Sequence, residues 1–474
     1  DGMLHAFDAA TGNEKFAYVP NAVMSNLALL KDTGYTHKYF VDGTPFAGDA
    51  FLGGAWKTVL LGATGAGGKA IFALNVTDPN TFTTANVLWE FTHAELGNTI
   101  GQPVIARLKY NNRWAAIFGN GYNSTSGTAK LFIVFLDANA SDGWQQGKDA
   151  DYMVLDTDTA ITNNGLSAPS LYDSNSDKVA DTVYAGDLQG NVWKFDLSDA
   201  NPNNWGVAYK QGATPKPLFT ARNASNQAQP ITSPVEVGVA PAEKTGVMIY
   251  FGTGSFFATG DNISTEVQSL YGVLDGGARI TTTDRSELRQ QTILYEGVDT
   301  GTAGRAASTA QIRLISNNTV DWASKKGWYL DLLQPPSSTA QGERVISIPL
   351  LRYGRVIFAT LVPSTDPCLF GGTGWIMEMD ALTGGRLSYS VFDLNSDTSF
   401  NNTDFVTVTV DGQEITVPVS AMKSNVGIIK TPTVVTAGTV EYKLASGTTG
   451  EISTTKEKAS ASGTGRVSWR ELME

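Results

Sequence analysis

The sequence is poor in the residues that most often carry catalysis. It has one cysteine, Cys368, so no disulfide can form within its 474 residues. We interpret Cys368 as a buried thiol, the alternative being half of a bridge to a segment outside this sequence. The three histidines, His5, His37 and His93, stand beside no recognisable nucleophile motif, and we expect structural roles for them.

Charge and long apolar runs are also scarce. Charged residues make up 17% of the chain, below the roughly 25% usual for globular proteins. The net charge of −12 repels phosphate backbones, which argues against a nucleic-acid partner and favours a cation as ligand. No apolar run approaches the ~20 residues that span a bilayer, so we expect no transmembrane segment in this chain.

A short strand that runs into Asp recurs along the chain, and several copies follow another apolar strand that ends in a glycine turn. Strand, glycine turn and strand form a hairpin, and repeated hairpins are typical of propeller blades. The pattern predicts an all-β fold, a modified seven-bladed β-propeller. The seven copies are Met3–Asp8, Ala70–Asp78, Leu131–Asp137, Val192–Asp196, Leu270–Asp275, Trp328–Asp331 and Trp375–Asp380.

The composition also predicts the domain organisation. Residues 1–443 are expected to form one propeller domain, with an insertion at 297–313 that is rich in Gly, Ser, Thr and Ala. Residues 444–465 have a similar composition and are predicted to be a flexible linker. Residues 466–474 are amphipathic and are expected to dock on or near the propeller. Because the chain opens directly on a strand, we expect it to be a piece of a longer protein.

The nine residues 173–181 have the ligand spacing of a calcium loop. Oxygen side chains stand at positions 1, 3, 5 and 9, and position 7 offers a backbone carbonyl. Hard oxygen ligands without nearby His or Cys favour Ca²⁺ over zinc or copper, and the flexible ligand number favours it over Mg²⁺. The alternative is an acidic solvated turn. The predicted ligands, in a loop between two blade strands, are Asp173, Asn175, Asp177, Val179 and Asp181.

One position of this loop departs from the pattern. Position 6, where the turn needs a positive φ and usually has glycine, is Lys178. We therefore expect weaker calcium affinity than in a glycine-containing loop. A second stretch, residues 393–404, has oxygen side chains at positions 1, 3, 5, 9 and 12, with Thr398 in place of glycine. It is either a second calcium loop or a polar loop.

Two strand endings extend into Asp-Ala-x-Thr-Gly, at 8–12 and 380–384. We interpret both as tight turns that close a blade. This extension also occurs in pyrroloquinoline-quinone-type repeats, so a quinone-dependent oxidoreductase is the rival interpretation. Its alcohol-oxidising members place adjacent cysteines against the cofactor, which a single cysteine cannot provide. We therefore predict that the chain is not an enzyme.

Taken together, several motifs resemble the C-terminal domain of the PilY/PilC family of type IV pilus biogenesis factors and tip-associated adhesins. The resemblance covers nearly the whole chain and implies a modified seven-bladed propeller with one calcium in the loop 173–181. The motifs are DGMLHAFD (1–8), YFVDG (39–43), VLWEF (87–91), GNGYN (119–123), VYAGDLQGNVWKFD (183–196), GTG (252–254), DPC (366–368), GW (374–375) and SWREL (468–472).

The resemblance implies a function as well. Calcium occupancy would be linked to the balance between pilus extension and retraction, and so to twitching motility and surface attachment. The expected partners are pilus components, either minor pilins or the pilus tip, and the expected location is extracellular and pilus- or outer-surface-associated. The alternatives are an adhesin that binds a host-cell surface ligand, with calcium purely structural, and a quinone-dependent oxidoreductase.

Overall fold

The computed structural model describes residues 2–147, 149–282, 284–366, 368 and 370–459. The chain forms two compact units, one of residues up to 220 with 230–234, the other of 221–229 and the chain from 235 onward. The described residues contain one short α-helix, α1 (Asn21–Met24). Single 3₁₀ turns lie at Leu27–Lys31, Pro79–Thr81, Thr84–Asn86, Tyr110–Asn112, Ala140–Asp142, Pro202–Asn204 and Asn402–Asp404.

The first unit consists of antiparallel sheets. Two have four strands, in the orders β3-β4-β5-β6 and β10-β9-β8-β7, and a third has the order β11-β12-β13-β14 with β17 also paired to β13. The strands are β1 (Leu4–Phe7), β2 (Glu14–Tyr18), β3 (Phe46–Leu52), β4 (Ala55–Ala63), β5 (Ile71–Asn75), β6 (Val87–Phe91), β7 (Val104–Arg107), β8 (Trp114–Gly119), β9 (Lys130–Phe135), β10 (Tyr152–Asp156), β11 (Ser170–Tyr172), β12 (Thr182–Gly186), β13 (Asn191–Asp196), β14 (Gly206–Val207), β15 (Lys210–Gln211), β16 (Thr214–Pro215) and β17 (Phe219–Thr220).

The second unit has a sheet ordered β18-β19-β20-β24-β21, a six-stranded sheet β22-β23-β32-β29-β26-β25 and a three-stranded sheet β33-β34-β35. Its strands are β18 (Glu236–Val239), β19 (Val247–Gly252), β20 (Ser269–Asp275), β21 (Arg289–Gln291), β22 (Ile293–Val298), β23 (Gln311–Ile315), β24 (Gly327–Asp331), β25 (Leu350–Arg352), β26 (Arg355–Ala359), β27 (Val362–Pro363), β28 (Gly372–Thr373), β29 (Trp375–Asp380), β30 (Phe405–Val410), β31 (Gln413–Pro418), β32 (Ala421–Lys423), β33 (Thr433–Ala437), β34 (Val440–Ser446) and β35 (Ile452–Lys458).

The repeated strand pattern is confirmed, since all seven predicted strand endings contain a β-strand. Four of them follow a hairpin partner as predicted, in the pairs β4–β5, β8–β9, β12–β13 and β19–β20. Six of these seven strands are buried along most of their length, the exception being β1. Five sheets of four or more strands are present in the described residues. A count of seven blades stays a prediction.

The two Asp-Ala-x-Thr-Gly segments form the same tight turn. In the first, the Gly12 N–H donates to the Asp8 carbonyl at 2.8 Å, and in the second Gly384 donates to Asp380 at 2.8 Å. Each Asp side chain also accepts the N–H and the hydroxyl of the Thr three residues later. Both glycines have a positive φ, which explains why glycine ends the motif. The interpretation of both segments as turns is confirmed.

The predicted linker at 444–465 is wrong over residues 444–458, where β34 and β35 form an antiparallel hairpin. Composition was misleading because the buried face of this hairpin is charged. Lys443 and Glu457 are fully buried and form an ion pair, and Lys443 also pairs with Glu378 of β29. The predicted insertion 297–313 is partly strand as well, at the ends of β22 and β23. Residues 460–474, with the predicted docking segment 466–474, lie outside the described residues.

Cys368 does not have the environment predicted for it. The side chain is exposed and lies in a turn, where its own N–H donates to the Asp366 carboxylate at 2.9 Å. The interpretation as a buried thiol is therefore wrong, because this turn leaves the side chain at the surface. Separately, no helix in the described part of the chain has the length and apolar content needed to span a bilayer.

Candidate metal centre

The loop 173–181 connects β11 to β12 in the third sheet of the first unit. The two strands pair in register, with Tyr172 opposite Thr182, so the loop closes a hairpin at the edge of that sheet. Its first part is exposed, whereas Val179, Ala180 and Asp181 are buried. The sequence therefore placed the loop correctly between two strands of one sheet.

The oxygen side chains of this loop turn inward onto its own backbone. The Asp173 carboxylate accepts the N–H groups of Asp177 at 3.2 Å and of Lys178 at 2.7 Å. The Asn175 amide oxygen accepts the Asp177 N–H at 2.9 Å, and Asp177 Oδ1 accepts the Val179 N–H at 2.9 Å. Every second side chain thus faces the centre of the turn, as wrapping a cation would require.

Asp181, the last predicted ligand, forms hydrogen bonds that connect the end of the loop to its beginning. The Asp181 carboxylate accepts the Ser174 N–H at 3.1 Å and the Ser174 hydroxyl at 2.6 Å. Asp181 is only 7% exposed, so its charge is partly shielded from water. This contact joins positions 2 and 9 of the loop, next to the predicted ligand Asp173.

The charge state of the loop suits a cation. Hydrogen bonding from the Val179 N–H, with smaller contributions from Asn175 and Lys109, lowers the pKa of the Asp177 carboxyl below its ordinary value. The carboxylate is therefore ionised at neutral pH. Each carboxylate oxygen has two lone pairs, so an oxygen that already accepts one N–H can still coordinate a metal.

The loop contains two residues in the left-handed region, Ser176 with φ 63° and Lys178 with φ 66°. The sequence predicted a positive φ at Lys178, and the structure confirms it. A non-glycine residue there costs about 1–2 kcal/mol. The hydrogen bond from the Lys178 N–H to the Asp173 carboxylate, which this conformation makes possible, offsets part of that cost.

Two cationic residues that the sequence did not reveal also contact this loop. Arg107, the last residue of β7, donates from Nη2 to the Asp177 carbonyl at 3.0 Å. Lys109 places Nζ 3.7 Å from Asp177 Oδ2. The Ala180 N–H donates in turn to the Arg107 carbonyl at 3.0 Å. Both cations lie more than 60 positions before the loop, in an unremarkable stretch, and only the packing of the two sheets brings them there.

The donor set fits a hard divalent cation. Three carboxylates, one amide oxygen and the Val179 carbonyl are the oxygen ligands that calcium takes. The three carboxylates of the loop are not clustered around one point. In the described residues, no three Asp, Glu, His or Cys side chains form a group that could hold a metal. The loop uses its carboxylates to order its backbone, and coordination of a cation would need them to come closer together. Calcium binding stays a prediction.

The second predicted loop, 393–404 in the second unit, repeats this geometry. Asp393 accepts the N–H groups of residues 5 and 6 of the loop, at 3.1 and 3.0 Å. Thr398 has φ 66°, matching Lys178 of the first loop. Asp404 at position 12 accepts the Leu394 N–H at 2.9 Å, the role that position 9 has in the first loop. The amide oxygen of Asn401 at position 9 accepts the Thr403 N–H at 2.8 Å.

The two loops differ in how their acidic residues are neutralised. In the second loop, Lys456 of β35 places Nζ 2.7 Å from Asp393 Oδ2, and the Asp393 side chain is fully buried. The pKa of the Asp404 carboxyl is raised, first by burial and then by the nearby charges of Asp393 and Asp397. The second loop therefore contains a fixed internal counter-ion. Whether it also takes a metal stays a prediction.

The three histidines have their own contacts away from the loop 173–181. His5 pairs with Glu14 at 2.6 Å, and His93 Nδ1 accepts the Glu95 N–H at 3.0 Å. The ring of His37 packs edge-on against Tyr39. The structure brings none of these side chains to the loop 173–181.

Comparison with known proteins identifies the relatives of this chain. Residues 1–305 match the PilY1 beta-propeller domain family. The chain is 41% identical over 435 residues to "Type IV pilus biogenesis factor PilY1 homolog" of Xylella fastidiosa, covering 87% of this chain and 28% of that protein. It is 38% identical over 458 residues to "Type IV pilus biogenesis factor PilY1" of Pseudomonas aeruginosa PAO1, covering 87% of this chain and 37% of that protein.

A solved structure agrees with these matches. The crystal structure of the Pseudomonas aeruginosa PilY1 C-terminal domain matches with a TM-score of 0.75 and 33% identity, covering 96% of this chain and 90% of that one. The all-β propeller fold predicted from the sequence is confirmed at this level. The chain spans about a third of the length of the curated relatives it matches. On this evidence the chain belongs to the PilY1 beta-propeller family.

Proposed function

We propose that this chain is the calcium-responsive propeller of a type IV pilus biogenesis factor, and that cation occupancy of the loop 173–181 controls pilus extension and retraction. The observation that carries the proposal is the alternation of inward oxygen side chains in this loop, in a chain whose relatives are named as pilus biogenesis factors. Twitching motility and surface attachment would follow from that control. The proposal includes seven blades and an extracellular, pilus-associated location.

The chain's own residues explain how occupancy would matter. Asp173, Asn175, Asp177 and Asp181 would hold the ion with their side chains, and Val179 with its carbonyl. A bound calcium ion supplies positive charge that offsets the repulsion among three carboxylates crowded into nine residues. Without it, the turn relies on hydrogen bonds from its own N–H groups. Occupancy would thereby shift the loop toward one conformation, and a partner that prefers that conformation would bind more tightly.

The partners we propose are pilus components, minor pilins or the pilus tip. The names of the relatives support this choice, because they describe factors of pilus biogenesis. We assign no catalytic activity to the chain for the same reason.

The experiment is a calcium titration by calorimetry of the wild-type chain and of the double variant Asp173→Ala, Asp177→Ala. We expect the variant to keep its far-ultraviolet circular dichroism and to lose calcium binding. A matched control is the pair Asp32→Ala, Asp49→Ala, which removes two exposed carboxylates that lie in the same unit and outside the sheet of the loop. Unchanged calcium affinity in the first double variant would refute the site. In cells, the same variant should alter pilus number, with the control pair leaving it unchanged.

A host-surface adhesin is the second candidate, and an exposed aromatic pair favours it. Phe51 and Trp56 face each other across the β3–β4 hairpin, each 48% exposed, with Trp114 5.8 Å beyond Trp56. Exposed apolar clusters of this kind often mark binding surfaces. If adhesion is the main role, Trp56→Ala should reduce attachment and leave pilus counts normal. Attachment equal to wild type would remove this support.

A further inference from the structure

Lys109 contacts the loop 173–181 from a distant part of the chain, and the loop's own sequence gives no sign of this contact. The residue follows β7, in the sheet β10-β9-β8-β7, and the side chains of this sheet share a hydrophobic core with those of the loop's own sheet. Its Nζ lies 3.7 Å from Asp177 Oδ2. The other oxygen of that carboxylate accepts the Val179 N–H. Lys109 therefore faces the oxygen of Asp177 that the backbone leaves available, which also receives the Asn175 amide at 3.2 Å.

We propose that Lys109 is an internal competitor for the cation, which sets the affinity of the loop and its dependence on salt. The inference rests on the proposed function, since it concerns regulation of the same site. With no cation bound, the Lys109 ammonium neutralises part of the loop's charge. Cation binding at Asp177 has to overcome this pair, because two positive charges next to one carboxylate repel each other.

The second loop shows what a permanent counter-ion looks like in this protein. Lys456 lies 2.7 Å from Asp393, and the Asp393 side chain has no exposed surface. The pair of Lys109 with Asp177 is different in both respects, because its contact is 1 Å longer and the Asp177 side chain is 37% exposed. Lys109 itself is 47% exposed, against 23% for Lys456. An ion pair that is long and exposed is weak and exchanges readily. Separating a buried ion pair is costly in free energy, because it leaves a buried charge without a partner. Lys109 is thus placed to leave the loop when a cation arrives, and Lys456 is not.

Arg107 fixes the backbone of the loop to the end of β7. Its guanidinium holds the Asp177 carbonyl, and its own carbonyl accepts the Ala180 N–H. These two bonds tie the loop to the end of β7 through backbone atoms that a cation at Asp177 Oδ2 does not need. Lys109 can therefore leave Asp177 without breaking these two bonds, so the competition can be tested without disturbing the fold.

The test is calcium titration by calorimetry of the whole chain, at low and at high salt, with Lys109→Met. We expect calcium affinity to rise by about threefold to fivefold at low salt, the upper range for one exposed ion pair. The gain should shrink toward none at 1 M salt, where the screening length falls to about 3 Å. Lys109→Arg keeps the charge and should bind as the wild type does.

Lys57→Met is the matched control, since Lys57 lies on β4 in a different sheet and its removal changes the net charge equally. We expect it to leave calcium affinity within error of wild type. Wild-type binding with no gain in Lys109→Met, or an equal gain in Lys57→Met, would overturn the inference and leave the proposed site intact. If neither the wild type nor Lys109→Met binds calcium, the proposed site fails, and the inference fails with it.

Discussion

Replacing Lys178 by glycine isolates the conformational cost of the backbone at position 6 of the loop 173–181. Lys178 has φ 66°, a region in which a residue with a Cβ costs about 1–2 kcal/mol. Glycine removes that cost but loses about 0.5–1 kcal/mol through the extra freedom of the unfolded chain. The difference predicts that Lys178→Gly raises the free energy of unfolding of the metal-free protein by about 0.5–1 kcal/mol.

Two further variants separate backbone conformation from charge. Lys178→Asn removes the charge and places a residue that tolerates the left-handed region, so it should give part of the stability gain. Lys178→Gln removes the charge and keeps the unfavourable φ, so it should give no stability gain but should strengthen calcium binding. Lys178→Gly should strengthen binding at least as much as Lys178→Gln.

Urea unfolding in the presence of a chelator measures the stability effect, and calorimetry measures calcium affinity. A true stability gain moves the urea midpoint upward without changing the slope of the transition. The reasoning would be refuted if Lys178→Gly were less stable than wild type. It would also be refuted if Lys178→Gln gained as much stability as Lys178→Gly, because the effect would then arise from charge and not from backbone conformation.

Two more predictions concern buried acids outside the loop. Asp187 is fully buried, and its carboxylate accepts hydrogen bonds from Trp193 Nε1 at 2.7 Å and from Asn164 Nδ2 at 2.8 Å. Asp187→Ala should therefore lower the free energy of unfolding, measured in urea, by about 3–5 kcal/mol. The exposed Asp196→Ala is the control and should lower it by under about 1 kcal/mol. Burial raises the pKa of Glu236 from 4.5 to about 7. The folded state therefore binds more protons than the unfolded state between these values, and the unfolding free energy should fall as pH rises from about 4.5 to about 7. Glu236→Gln should flatten that part of the pH profile, and an unchanged profile would contradict the assignment.

Much of the fold could be predicted because the signal was local. Each strand ending that runs into Asp, such as Val192–Asp196, contains its own alternation and its own turn residue, and these persist in the structure. The candidate calcium loop was predicted in the same way, because its proposed ligands lie within nine consecutive residues. The positive φ of Lys178 followed from position alone, since the turn needs it whatever residue is present.

The errors and omissions have a common physical cause, which is that pairing between distant segments leaves no local pattern. Most of the hairpin of β34 and β35 was predicted as linker because residues 444–465 are rich in Gly, Ser, Thr and Ala. What holds the hairpin in place is the pairing of Lys443 with Glu457 and with Glu378 of β29, which that stretch alone does not indicate. Arg107 and Lys109 were missed because nothing in their own stretch indicates a calcium loop 64 or more positions away. Sequence patterns predict the local structure of a segment, whereas contacts between sheets are seen only in the structure.

The central claim is that the loop 173–181 holds calcium with five named residues. The most direct test is a crystal structure of the calcium-loaded chain, with anomalous scattering used to locate the ion. The account predicts an anomalous peak within about 2.3–2.6 Å of oxygens of Asp173, Asn175, Asp177, Val179 and Asp181, with Lys109 Nζ moved away from Asp177. An occupied calcium position elsewhere with this loop empty, or no bound calcium at millimolar concentration, would contradict it.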